Sequence, residues 1–124
     1  WFMAQVAHAA PRDAVGVADR LTRHRDFDAS NPNRFRSLIA GLTGGNPAGF
    51  HNPDGTGYEF LASWLLHLDK SNPQTSARLS TAFDGWTRYD ADRQALMKAQ
   101  LERISGTEGL SRDLSEMVIR MLKA

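Results

Sequence analysis

The sequence predicts an all-α domain of about seven short helices, and three observations predict it. Four of the five prolines directly follow an asparagine: Asn31-Pro32, Asn46-Pro47, Asn52-Pro53 and Asn72-Pro73. Proline disfavours α geometry in the residue before it, which suits an N-cap. The asparagine side chain can accept from the free N–H groups of the first turn, and proline at the first helical position lacks an N–H that would have been orphaned anyway. Next, apolar residues recur at i, i+3, i+4 and i+7 along most of the chain. Last, no sustained two-residue alternation and no Val/Ile-rich run marks a strand. A helical bundle and an α-solenoid both fit, because no strict sequence period chooses between them.

Each element follows from local signals. Residues 1–9 read as a short helix with Phe2, Met3 and Val6 apolar. Residues 11–23 begin at Pro11 and carry Ala14, Val17, Ala18 and Leu21 on one face. Arg20, Arg23, His24 and Arg25 suit its C-terminal end, where cations meet the negative pole of the helix dipole. Residues 32–43 repeat the pattern with Phe35, Leu38, Ile39 and Leu42 and stop at Gly44-Gly45. Pro47 to His51 allow one or two turns. Asn52-Pro53-Asp54-Gly55 reads as a type I turn. Residues 56–70 place Tyr58, Leu61, Leu65 and Leu68 on a face widened by Phe60 and Trp64, which predicts a central helix. Residues 73–88 form one helix on this reading, with Leu79, Ala82, Phe83 and Trp86 facing in. Asp90 caps 91–105, with Met97, Leu101 and Ile104 aligned. Ser111 caps 112–123, with Leu114, Met117, Val118, Met121 and Leu122 facing in.

The chain has 124 residues, one domain by length. That is enough to bury roughly 65–70% of the unfolded surface. A formal net charge of +1 implies no strong polyanion partner, so no nucleic acid. Arg20, Arg23, Arg25, Arg34 and Arg36 cluster, but Asp19, Asp26 and Asp28 interleave, which reads as a solvated face with local ion pairs. No cysteine is present, which excludes a disulfide scaffold and a thiolate metal site and fits a reducing, cytoplasmic setting. No apolar run approaches the ~20 residues that span a membrane. The opening Trp1-Phe2-Met3 reads as the middle of a longer protein. Such a cut would leave Trp1, Phe2, Met3 and Val6 partly exposed, or covered by another copy of the chain.

Signals for chemistry are sparse. The histidines are His8, His24, His51 and His67, with no pair at i, i+4 and no His-Glu-x-x-His. His24 and His51 read as local hydrogen-bonders. No Gly-x-Ser-x-Gly is present, and Gly55-Thr56-Gly57 lacks the lysine and the strand of a phosphate loop. Catalytic and metal-ligating residues are therefore expected to be none. Two arrangements stand out. Arg34 and Arg36 flank the Phe35/Leu38/Ile39/Leu42 stripe, and Gln74 and Arg78 stand at i, i+4 on one edge of the helix after Pro73. Guanidinium groups at the border of an apolar face can fork onto a carboxylate, or they can bond neighbouring helix ends. Spacing leaves both open.

Several motifs in order carry a family resemblance. The run Ser30-Asn31-Pro32-Asn33-Arg34-Phe35-Arg36-Ser37-Leu38-Ile39 is similar to the C-terminal helical domain of bacterial aminopeptidase N. So are Asn46-Pro47-Ala48 with Phe50-His51, and Asp54-Gly55 with Gly57-Tyr58 and Phe60-Leu61. Asn72-Pro73-Gln74, Ala77-Arg78-Leu79, Arg88-Tyr89-Asp90 and Arg93-Gln94 continue it. With Trp1-Phe2 it covers essentially the whole chain. The resemblance implies an α-solenoid (HEAT/armadillo-like) or superhelical array, residues 1–124 forming one C-terminal domain of a larger zinc metallopeptidase of the gluzincin group. It implies that zinc, His-Glu-x-x-His and Gly-Ala-Met-Glu-Asn belong to the parent's catalytic domain, the partner of this one, and that the piece alone is inactive. It implies that this domain closes over the active site, and that Arg36, Gln74 and Arg78 stand on the wall of a chamber for peptide substrates.

Two other readings compete. A free-standing helical-repeat module would bind a peptide or protein in a groove, and a small autonomous enzyme would turn over by itself. The first predicts a start codon just before Trp1, and the second predicts chelator-sensitive turnover by the isolated chain. An exposed first helix would also offer a face for self-association.

Overall fold

The computed structural model describes the backbone of residues 2–23 and 32–124; the side chains of residues 2, 3 and 32–35 lie outside the description. The described residues form eight α-helices and three short 3-10 segments, with no strand, as the all-α expectation requires. The chain divides into two compact units, Trp1–Phe60 and Leu61–Ala124.

The first unit holds α1 (Phe2–Ala7), a 3-10 turn (Pro11–Asp13), α2 (Ala14–Thr22), α3 (Pro32–Thr43), α4 (Pro47–Phe50) and the start of α5 (Thr56–Asp69). α1 packs on α2 and α3. Val6, Ala14, Ala18, Leu38, Leu42 and Tyr58 are wholly buried. This corrects the expectation that Val6 stays exposed; Trp1, Phe2 and Met3 lie outside the described side chains. The physical reason is the packing of α1 on α2 and α3, and Asn46 fastens the end of α1 there. The Asn46 Nδ2 donates to the carbonyls of Val6 and Ala9 at 3.0 and 2.7 Å, while its Oδ1 accepts from Gly49 N–H at 3.1 Å. One buried amide thus answers the orphan carbonyls at the end of α1 and caps α4.

The Asn-Pro reading holds at α4 and α6, while Asn31 lies outside the described residues. Asn52 to Gly55 close a turn, with Gly55 N–H on the Asn52 carbonyl at 3.0 Å. His51 is a local hydrogen-bonder, its Nδ1 2.7 Å from Tyr58 Oη. His24 lies outside the description. Phe50 meets the Tyr58 ring edge-on, centroids 5.2 Å apart. The approach of α5 to α4 demands glycine at position 57, where a Cβ would stand 2.2 Å from the Phe50 carbonyl oxygen.

The second unit holds the rest of α5, then α6 (Pro73–Leu79), 3-10 segments at Ser80–Phe83 and Trp86–Arg88, α7 (Ala91–Ser105) and α8 (Arg112–Leu122). α8 packs on α6, α7 and the Ser80–Phe83 segment. Leu65, Leu68, Phe83, Met97, Leu101, Ile104, Leu114 and Val118 fill its core. The single helix expected over 73–88 is broken. Ser80 and Thr81 turn their hydroxyls back onto the Ala77 and Arg78 carbonyls at 2.6 and 2.7 Å, which tightens the chain to 3-10 geometry. Asp84 then turns extended and Gly85 takes φ +77°, a left-handed value that redirects the chain into the Trp86–Arg88 segment. Met117 and Leu122 are half-buried rather than part of the core.

Candidate functional site

α6 starts where Asn72 Oδ1 accepts from Thr75 N–H at 3.3 Å and Pro73 occupies the first helical position. Its inner face is fixed by Ser76, whose buried hydroxyl donates to the Leu65 carbonyl of α5 at 2.8 Å. With Thr75, Ser76 and Ala77 turned inward, Gln74 and Arg78 are left on the exposed side.

α8 starts at Ser111, whose Oγ accepts from Leu114 N–H at 3.2 Å. Ser111 is itself clamped. Asp69, only 6% exposed, accepts from Ser111 N–H at 2.8 Å and from its hydroxyl at 2.5 Å. At the other end of α8, the Trp86 indole N–H donates to the Met121 carbonyl at 2.9 Å. Asp69 precedes α6 and Trp86 follows it, so the two clamps make α6 and α8 run in the same direction. Leu114, Val118 and Met121 point into the core, and Asp113, Glu116, Met117 and Arg120 follow at i, i+3, i+4 and i+7 along the adjoining face.

Between these faces lies a cleft of about 570 Å³, lined by Gln74, Ala77 and Arg78 of α6 and by Asp113, Glu116, Met117 and Arg120 of α8. The parallel run places Gln74 and Asp113 toward one end and Arg78 and Arg120 toward the other. Glu116 is engaged with Arg112 at 2.9 Å, and that contact raises the Arg112 guanidinium above its ordinary value. Arg120 Nη2 rests on the Met117 sulfur at 3.1 Å, a weak acceptor. Among the described residues no protein group hydrogen-bonds or pairs with the side chains of Gln74 or Arg78, and Asp113 acts only through space on the neighbouring Arg112.

The structure brings Gln74 and Arg78 together in one cleft. Arg36 is exposed on α3 of the first unit, also without a protein partner among the described residues, and is not among the residues lining that cleft. The Arg34 side chain lies outside the description. Sequence reading passed over Asp113, Glu116 and Arg120. Their spacing beside the Leu114/Val118/Met121 stripe was the available signal. The first unit has its own opening of about 480 Å³ between α1 and α2, where Gln5, His8 and Arg20 are the polar lining. Among the described residues no three of His, Cys, Asp and Glu gather closely enough to hold a metal ion. No helix in the described residues is long and apolar enough to cross a membrane.

A family model described as "Domain of unknown function (DUF3458_C) ARM repeats" matches residues 1–123. The chain is 43% identical over 122 residues to aminopeptidase N of Caulobacter vibrioides and 44% identical over 122 residues to that of Escherichia coli. Each match covers 98% of this chain and 14% of the relative. Aminopeptidase A of Legionella pneumophila, solved in complex with aspartic acid, superposes with a TM-score of 0.89 at 37% identity, over 99% of this chain and 14% of that one. The chain therefore spans about one-seventh of the proteins it matches, and it belongs to the DUF3458_C ARM-repeat family, as that family occurs in the C-terminal region of bacterial aminopeptidase N.

Proposed function

We propose that residues 1–124 act together as a non-catalytic domain of a zinc aminopeptidase, closing over the active site and lining the chamber that holds peptide substrates. The observation that carries this reading is the α6–α8 cleft. Gln74 and Arg78 offer an amide and a guanidinium free of protein partners, on the helix where the resemblance puts substrate-facing groups. Similarity along the whole chain to part of aminopeptidase N supports it. The resemblance puts the zinc in the parent's catalytic domain, and among the described residues no three of His, Cys, Asp and Glu gather closely enough to hold it. What the chain supplies is position: Gln74 and Arg78 would hold the carboxyl side of a peptide while its N-terminus reacts elsewhere, and Arg36 of the first unit would be a chamber-wall residue in its own right. A cytoplasmic setting accords with the absence of cysteine.

The test uses the full-length enzyme carrying Arg36→Ala and Arg78→Ala. Both are expected to lose more kcat/KM on longer peptides than on a single-residue chromogenic amide. Equal losses on the two substrate types would sink the chamber role.

A further inference from the structure

The cleft between α6 and α8 is electrically polarised. Seven residues separate Asp113 from Arg120, about 10 Å along the helix axis. At one end stands the Asp113 carboxylate, which makes no hydrogen bond or ion pair among the described residues and acts only through space on the neighbouring Arg112. At the other, Arg78 and Arg120 approach from different helices, one unpaired and one resting only on a thioether. Glu116 also lines the cleft, one helical turn before Arg120, and shares its charge with Arg112 at 2.9 Å. Met117 and Ala77 supply an apolar floor between the ends. Two guanidiniums that line one cleft from different helices, neither in an ion pair among the described residues, suit a carboxylate, which each can meet with forked donors. The 10 Å span matches about three residues of extended chain.

We propose that this cleft holds the C-terminal end of a peptide, with Arg120 sharing the terminal carboxylate with Arg78. Asp113 sets the direction of the chain. It repels the carboxylate from its own end and disfavours an acidic residue two or three positions before the terminus, where a basic one is favoured. This rests on the peptide-chamber reading above and adds two residues to it, Arg120 and Asp113, together with a substrate class: peptides with a free C-terminus, preferably with a lysine or arginine near it.

The experiment compares free-acid peptides of about three to eight residues with their C-terminal amides, using the full-length enzyme. In the unaltered enzyme the free acid is expected to lead in kcat/KM by about tenfold at the best length, the scale of one charge-assisted contact. Arg78→Ala and Arg120→Ala should each bring that ratio close to one. Arg120→Lys, which keeps charge but loses the fork, should fall between. Lys98→Ala, on the exposed side of α7, should keep the full ratio. Asp113→Asn should narrow the preference for lysine over glutamate near the C-terminus.

A ratio near one at every length in the unaltered enzyme would overturn the carboxylate assignment, as would a full ratio in Arg120→Ala. An unchanged lysine preference in Asp113→Asn would remove Asp113 from it. The chamber reading stands or falls separately, on whether peptide losses exceed losses on the single-residue amide.

Discussion

The two units solve the same problem, joining helix ends, with different chemistry. In the first, small residues and one neutral amide do it. Ala14 and Ala18 are wholly buried, and Asn46 donates twice and accepts once between α1 and α4. In the second, a buried carboxylate and an indole do it, at opposite ends of α8. The difference teaches where a groove can form. Both units leave an opening between two helices, and among the described residues the second fixes its two helices at both ends through groups outside the opening. In that unit every long polar side chain on the facing surfaces is spared structural work except Glu116. A site for a charged ligand needs donors not consumed by the fold, and clamping from the ends leaves them free.

Breaking each fastening tests the contrast, and the largest effect is expected in the first unit. Asn46→Ala removes both amide donors from the Val6 and Ala9 carbonyls and the α4 cap, while Val6 O keeps Ala9 N–H and Gly49 N–H keeps the Asn46 carbonyl, for about 2 kcal/mol of lost stability in denaturant titration. Amide exchange should accelerate in α1 and α4. An increase spread evenly over both units would erase the comparison. Asp69→Asn comes next. The variant turns a donor toward one of the two Ser111 groups it must accept from, and should cost about 2 kcal/mol. Faster exchange should centre on the start of α8, and the free-acid ratio of the enzyme should fall as α8 loosens. Loss of stability with that ratio intact would show that the clamp does not position the cleft.

The smallest effect concerns acid. Asp90 caps α7, accepting from Arg93 N–H at 3.1 Å and pairing with the Arg93 guanidinium at 2.9 Å. The side-chain bond from Arg93, followed by the backbone bond, lowers the Asp90 carboxyl below its ordinary value. A lowered native value means stability that is complete above the ordinary carboxylate range, near pH 4, and is lost as pH falls through the native value. Protection of the Arg93 N–H, taken as its exchange rate relative to that of an unstructured amide at the same pH, should therefore fall on acidification below about pH 4. Asp90→Asn, an equally good cap, should flatten that fall.

Much of this was legible in the sequence because its signals are local. Asn46-Pro47 and Asn72-Pro73 mark the starts of α4 and α6, and Asp90 and Ser111 mark those of α7 and α8, each with the expected side-chain cap. The break in 73–88 was missed because Leu79, Ala82, Phe83 and Trp86 fit helical spacing. Ser80, Thr81 and Gly85 carried the contrary signal, in hydroxyls that fold back on the chain and a glycine that redirects it. In the site, Gln74 and Arg78 were visible as an i, i+4 pair within one helix. Arg120 and Asp113 were not, since their meeting with α6 depends on Asp69 and Trp86 gripping a helix some 40 positions along the chain. Met117 was read as core for the same reason. Periodicity gives a face its angle on the helix, but the neighbouring helix decides whether that angle is covered.

The asparagine of each Asn-Pro step has one more consequence, for chemical ageing. Asparagine deamidates chiefly when the backbone nitrogen of the next residue attacks the side-chain amide to close a succinimide ring. Proline's nitrogen carries no hydrogen and cannot complete that closure. Four of the five asparagines in the chain precede proline, among them Asn46 and Asn72. The amide that holds α1 to α4 is thus shielded, by its own neighbour, from the slow hydrolysis that would turn it into a carboxylate and reverse its bonds to Val6 and Ala9.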